Sequence, residues 1–212
     1  MFLRTFRLAS IGALLLVLSA PGAGQPAQTE PHWLQALRQG GHVIVFRHGA
    51  THADQADTDP LNPKNVAQQR QLNDAGRTVA KSVGESLHKL KIPVGEVYTS
   101  LFQRAIDTGT LLGFGDVKPT ADITEGGLVV TPNENNRRAQ ALRALAAKVP
   151  PGTNIVIVSH KPNIMDAFGK DWFDLREGEA SLFKPDGNGG SNLVVRVRAD
   201  EWSKPCGKPL IE

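Results

Sequence analysis

The chain is expected to fold as a three-layer, doubly wound α/β domain, with a mostly parallel sheet, an antiparallel edge hairpin and a small cap. Three observations predict this. The runs "VIVF" at 43–46 and "IVIV" at 155–158 are apolar at every position, as strands covered on both faces of a parallel sheet must be. Helix-periodic segments separate the strand-like runs, and that alternation favours βαβ units. Late in the chain, 180–184 and 193–197 flank the turn-rich "PDGNGG", which reads as a hairpin.

The elements follow in order. Arg4 and Arg7 precede the apolar run "IGALLLVLSA" at 11–20, and small residues follow in "APGAGQ". A basic start, a short apolar stretch and a small-residue exit read as a secretory signal peptide over 1–24. The run is about half of the ~20 residues that cross a bilayer, with an uncleaved anchor as the alternative. Residues 25–30 are a polar linker, and 31–212 form one domain. "TEPHWLQALRQGG" predicts a short helix with Thr29 as N-cap and Gly40 and Gly41 as the stop. After the strand at 43–46, residues 50–71 are rich in Asp, Asn, Gln and Pro and predict a long loop. "LNDAGRTVAKSVGESLHKL" predicts a helix capped by Asn73, with Val79, Val83 and Leu87 on one face. "GEVYTS" reads as a short strand, "LFQRAIDTGTLLG" as a helix and "TADIT" as another short strand. "NENNRRAQALRALAAKV" reads as a helix stopped by Pro150 and Pro151.

Charge and cysteine content narrow the function. The 24 Lys and Arg against 21 Asp and Glu give +3, but two of the basic residues lie in the leader, so the mature chain is near +1. The pI of about 9.1 is therefore partly a leader property and no argument for nucleic-acid binding. Cys206 is the single cysteine, so no intramolecular disulfide staples a chain expected in an oxidising compartment, the periplasm. No stable membrane span is expected after leader removal.

Ligands of open α/β sheets bind at the carboxyl ends of the strands. The strand at 43–46 runs into Arg47 and His48, and that at 155–158 into Ser159 and His160. The strand "EVYTS" ends on the same edge and leads into a helix whose first turn carries Arg104. Two Arg, two His and a helix N-terminus make a site for an anion, and phosphate matches guanidinium forks best. A neutral His can attack phosphorus while Arg residues stabilise the equatorial oxygens. Gly49 is expected to let the phosphate approach the backbone; Thr51, Ser100 and Asn163 are expected to bind substrate. His48 and His52 are four apart, but their Pro- and Asp-rich surroundings argue against a zinc helix. His32, His42 and His88 read as structural.

"RHG" after an apolar strand, "TSLFQRAIDT" and "VIVSH" together resemble the histidine phosphatase superfamily, whose second-arginine motif has the form S-x-x-x-R-A-x-x-T. The resemblance implies a phosphoglycerate-mutase-like fold and a phosphohistidine on His48. It further implies a pocket completed by Arg47, Arg104 and His160, with no metal or other cofactor. The large phytase-like branch places Asp after its second histidine as proton donor; here Lys161 stands there. Glu125, in "ADITEGGLVV", sits like the catalytic glutamate of the mutase-like branch, with Glu177 and Glu179 as alternatives. The expected activity is a metal-independent phosphomonoesterase of histidine acid phosphatase type. It would act on a small phosphate ester in the cell envelope. The alternatives are a non-catalytic phosphate-ester binding protein and a phosphohistidine-protein phosphatase.

Overall fold

A computed structural model describes residues 30–126 and 129–204. The segment expected as leader and most of that expected as linker, with Thr29 and Cys206, lie outside the described residues. Six strands form one sheet in the order β3-β2-β4-β1-β5-β6. They are β1 (Val43–Arg47), β2 (Val94–Ser100), β3 (Val117–Thr120), β4 (Asn154–Ser159), β5 (Ala180–Pro185) and β6 (Ser191–Val197). The first four strands of that order are parallel; β5 and β6 are antiparallel and close one edge as the hairpin around "PDGNGG".

The helices are α1 (His32–Gln39), α2 (Asp74–Lys89), α3 (Gln103–Leu111), α4 (Pro132–Ala146) and α5 (Lys161–Phe168). The path of the chain decides which face each covers. From β1 through β2 to β3 the chain moves one way across the sheet, then returns to place β4 between β1 and β2. Right-handed crossovers require the connecting helix to change faces when that direction reverses. Accordingly Val83 and Leu87 of α2 and Ala105 of α3 pack with Ile44, Phe46, Val156 and Val158 on one face. Ala139 and Leu142 of α4 and Ile164 of α5 pack with Val43, Val45, Ile155 and Ile157 on the other. Successive residues of β1 and β4 thus feed opposite cores, which is why both strands are apolar at every position.

Local chemistry sets the helix starts. Asn73 accepts the Gly76 N–H at 2.8 Å and caps α2. Thr131 caps α4 by accepting the Glu134 N–H, ahead of Pro132 at the first helical position. The first helix differs from expectation. It starts after Pro31 with no side-chain cap, and the chain turns out of it at Gly40 with φ 78°. "TADIT" is also corrected: the strand is Val117–Thr120, and Ala121–Ile123 form a single 3₁₀ turn. Thr120 explains the change, because its hydroxyl accepts the Asp122 N–H and bends the chain out of the sheet. The short helix α5 was not foreseen, since "KPNIMDAF" is too brief for a clear period.

One close approach ties the fold to the site. A Cβ on Gly76 would lie 2.1 Å from the Ala50 carbonyl oxygen, and one on Gly49 would lie 2.9 Å from that of Gly76. The first turn of α2 therefore presses against the residues that follow His48. Gly76→Ala is expected to destabilise the protein by about 1–3 kcal/mol through overpacking. Urea unfolding checks this, and a loss inside experimental error would show that the turn yields freely.

Candidate active site

β1 and β4 pair in parallel with Arg47 opposite Ser159, so His48 and His160 leave the sheet side by side. The His48 N–H donates to the Ser159 carbonyl at 3.0 Å, and the two rings stand 5.1 Å apart, centroid to centroid. Both are buried, as is Arg104 in the first turn of α3.

The hydrogen bonds decide which ring nitrogen carries each proton. His48 Nδ1 lies 2.8 Å from the carbonyl oxygen of Gly49. A carbonyl only accepts, so Nδ1 holds the proton and Nε2 holds the lone pair. His160 Nε2 lies 2.6 Å from Ser100 Oγ, which already accepts the Phe102 N–H at 3.0 Å. Among the described residues that hydroxyl has no other acceptor, so its proton is assigned to His160 Nε2 and the His160 proton to Nδ1. That atom is buried with no hydrogen-bond partner, 3.4 Å from Glu125 Oε2. One imidazole is thereby set up as a nucleophile and the other as a donor. Burial first, then Arg104 and Arg47, pushes His48 down to about 3, so its ring is neutral at any ordinary pH. Burial, then the neighbouring His48 and Arg104, holds His160 well below its usual value.

The arginines surround this pair. Arg47 Nη1 donates to the Leu175 carbonyl at 2.8 Å and Nη2 pairs with Glu177 at 3.2 Å. The Arg104 guanidinium lies 4.5 Å over the Phe102 ring. Its Nη1 meets Asp57 at 2.9 Å and its Nη2 meets Glu125 at 3.2 Å. Thr108, one turn along α3, donates to the Arg104 carbonyl at 2.7 Å and accepts the Gly49 N–H at 3.0 Å. It thus locks the two arginine motifs together. Buried nitrogens without a hydrogen-bond acceptor include Nε of Arg47, Arg70 and Arg104 and Nδ1 of His160. Arg70 acts electrostatically on His48, His160 and Arg47 alike. Such a cluster of unmatched donors around a neutral imidazole suits an oxyanion with several acceptor atoms. Among the described residues, no group of three His, Cys, Asp or Glu side chains is arranged to hold a metal ion.

The remaining candidates are placed as follows. Glu125 is at the pocket, against Arg104 and His160. Ser100 is buried with its hydroxyl engaged by His160 Nε2, a contact that orients the ring. Gly49 lies against the first turn of α2, where a Cβ would stand 2.9 Å from the Gly76 carbonyl oxygen. Thr51 is buried, and its backbone bridges to Leu72 at the neck of the long loop. Asn163 Nδ2 donates to the Thr124 carbonyl at 3.1 Å, steadying the residue before Glu125. Glu177 is bound to Arg47. Glu179 is buried in an ion pair with Arg196 and accepts the Arg176 N–H, so it is a structural acid. Lys161 stacks its ammonium 5.0 Å over the exposed Phe173 ring.

Arg70 and Asp57 went unrecognised in the sequence. The signal for Arg70 was its place just before "QLNDAGR", where the loop returns to bridge Thr51. Asp57 had no local signal, because it belongs to a polar stretch without period.

The model of the histidine phosphatase superfamily (branch 1) matches residues 43–128. No curated protein sequence matches the chain. Solved structures do. The protein histidine phosphatase SixA complexed with tungstate superposes with a TM-score of 0.54 at 19% identity, covering 76% of this chain and 98% of its own. The mycobacterial glucosyl-3-phosphoglycerate phosphatase complexed with VO3 gives 0.53 at 18%, covering 74% and 98%. Phosphoserine phosphatase from Entamoeba histolytica, in complex with 3-phosphoglyceric acid, gives 0.51 at 18%, covering 73% and 95%. At these identities the likeness is one of fold, the phosphoglycerate-mutase-like α/β fold.

Proposed function

Because residues 43–128, which carry His48, Arg47 and Arg104, match the model of the histidine phosphatase superfamily (branch 1), we propose that the chain is a metal-independent phosphomonoesterase. The observation that carries this reading is the hydrogen bonding of the histidine pair, which assigns their protons. His48 Nε2 has a free lone pair, and the buried Nδ1 of His160 has a proton and no acceptor. In the first step His48 Nε2 bonds to phosphorus as the ester P–O bond breaks. Arg47, Arg104 and His160 Nδ1 stabilise the charge on the equatorial oxygens. Glu125, which takes up a proton as the phosphoryl group replaces it or Asp57 at Arg104, gives that proton to the departing alkoxide. In the second step a water gives its proton to Glu125 and attacks phosphorus. The P–N bond breaks, phosphate leaves and His48 is restored.

Purified mature protein should release phosphate from a panel of phosphate esters, unaffected by EDTA and inhibited by vanadate or tungstate, which mimic phosphorus in transfer. Full loss of activity in EDTA, restored by a metal, would overturn the metal-independent mechanism. The panel should include a phosphohistidine protein, since the SixA likeness supports that substrate as a second reading. The signal peptide expected from residues 1–24 supports export and a small envelope ester instead, as histidine phosphorelays are cytoplasmic. Among the described residues no helix is long and apolar enough to cross a membrane. Locating the leader-cleaved protein tests the periplasmic assignment.

A further inference from the structure

Arg104 has no exposed surface, and both of its terminal nitrogens are held by carboxylates. Nε is its one buried donor without a partner, so a phosphoryl group that takes the guanidinium as a fork, through Nη1 or Nη2, must displace a carboxylate. Asp57 and Glu125 differ in how they are mounted. The chain at Thr124, next to Glu125, is fastened to the body, because the Thr124 carbonyl accepts from Arg138 and Asn163. Asp57 rides on a strap, residues 52–71. The strap is pinned at its neck by the Thr51–Leu72 bridge and by the His52 N–H on the Gln71 carbonyl at 3.1 Å. Within it, Asp57 Oδ1 also accepts the Arg70 N–H at 3.0 Å. One carboxylate oxygen thus joins the strap to the pocket's buried arginine.

We propose that Asp57 is an internal competitor for the phosphate seat, an inference that rests on the phosphate-site reading above. Its carboxylate holds Arg104 between turnovers, yields it to the phosphoryl group and retakes it as inorganic phosphate leaves. The exchange is anion for anion, so Arg104 is never left buried and uncompensated, a state that ion-pair energetics penalise heavily. The affinity for any oxyanion is scaled down by the fraction of molecules in which Asp57 has withdrawn. Product inhibition is correspondingly weakened.

The test is tungstate binding by calorimetry and phosphate inhibition of turnover, on wild type, Asp57→Asn, Asp57→Ser and Asp54→Asn. Asparagine keeps an oxygen for the Arg70 N–H and removes the charge. Asp54 is exposed on the same strap and controls for charge alone. Both Asp57 variants should bind tungstate about tenfold more tightly and be inhibited by correspondingly less phosphate, the gain that follows if Asp57 is withdrawn in about a tenth of wild-type molecules. Asp54→Asn should match wild type. Unchanged or weaker binding in both Asp57 variants overturns the proposal while leaving the phosphate site standing. Equal tightening in Asp54→Asn overturns it too, in favour of general electrostatics. Failure of wild type and every variant to bind tungstate would overturn the phosphate-site reading and this inference together.

Discussion

His48→Ala should lose turnover by roughly 10⁴-fold or more, the scale for removing a covalent nucleophile, while keeping the fold. The side chain is nearly enclosed, yet it belongs to neither apolar core, and its hydrogen bond is to the neighbouring Gly49 carbonyl. Removing it leaves the sheet and both helical layers intact, so circular dichroism and the unfolding midpoint should barely move. Wild type quenched during turnover should carry a phosphate that is labile in acid and stable in base, as a phosphoramidate is. Labelling should proceed at pH 5 as at neutral pH, because burial and Arg104 keep His48 neutral down to about 3. A label that survives acid, or near-normal turnover in His48→Ala, would remove His48 from the nucleophile's role.

Glu125→Gln should slow esters with poor leaving groups by roughly 10²–10⁴-fold, the range for a positioned general acid. It should barely affect p-nitrophenyl phosphate, whose phenolate departs without a proton. Glutamine is nearly isosteric and keeps an oxygen toward Arg104 Nη2, so the contrast isolates proton donation from pocket geometry. The structure narrows the alternatives for this role. Glu179 is locked against Arg196; Glu177 and Glu125 each pair with a pocket arginine, and Glu125 also stands 3.4 Å from His160 Nδ1, which favours it for the role. Equal losses on both substrates would make Glu125 an electrostatic partner of Arg104 instead.

Much of the fold was legible because it rests on local patterns. Uniformly apolar runs predicted β1 and β4, the spacing of Val79, Val83 and Leu87 predicted α2, and "PDGNGG" predicted the edge hairpin. The misreadings came from short segments where one side chain overrides propensity. The hydroxyl of Thr120 turned "TADIT" into a 3₁₀ turn, and α5 is too short to show a period.

The sequence by itself determined the site's inventory: two strands ending in His, an Arg beside the first, and a second Arg in the first turn of the following helix. Those follow from strand ends and helix starts, which neighbouring residues encode. The tertiary structure alone decided what each group is prepared to do. The Gly49 carbonyl places the His48 proton on Nδ1, Ser100 at Nε2 places that of His160 on Nδ1 as well, facing Glu125, and burial keeps His48 neutral. It also brought Asp57 and Arg70, from a loop without periodicity, onto the buried Arg104 and the histidine pair. Proton position and ion pairing depend on atoms that meet across long separations in the chain, 47 residues for Asp57 and Arg104 and 60 for Ser100 and His160. No local pattern records such contacts, because burial and hydrogen-bond geometry exist only once the layers have packed.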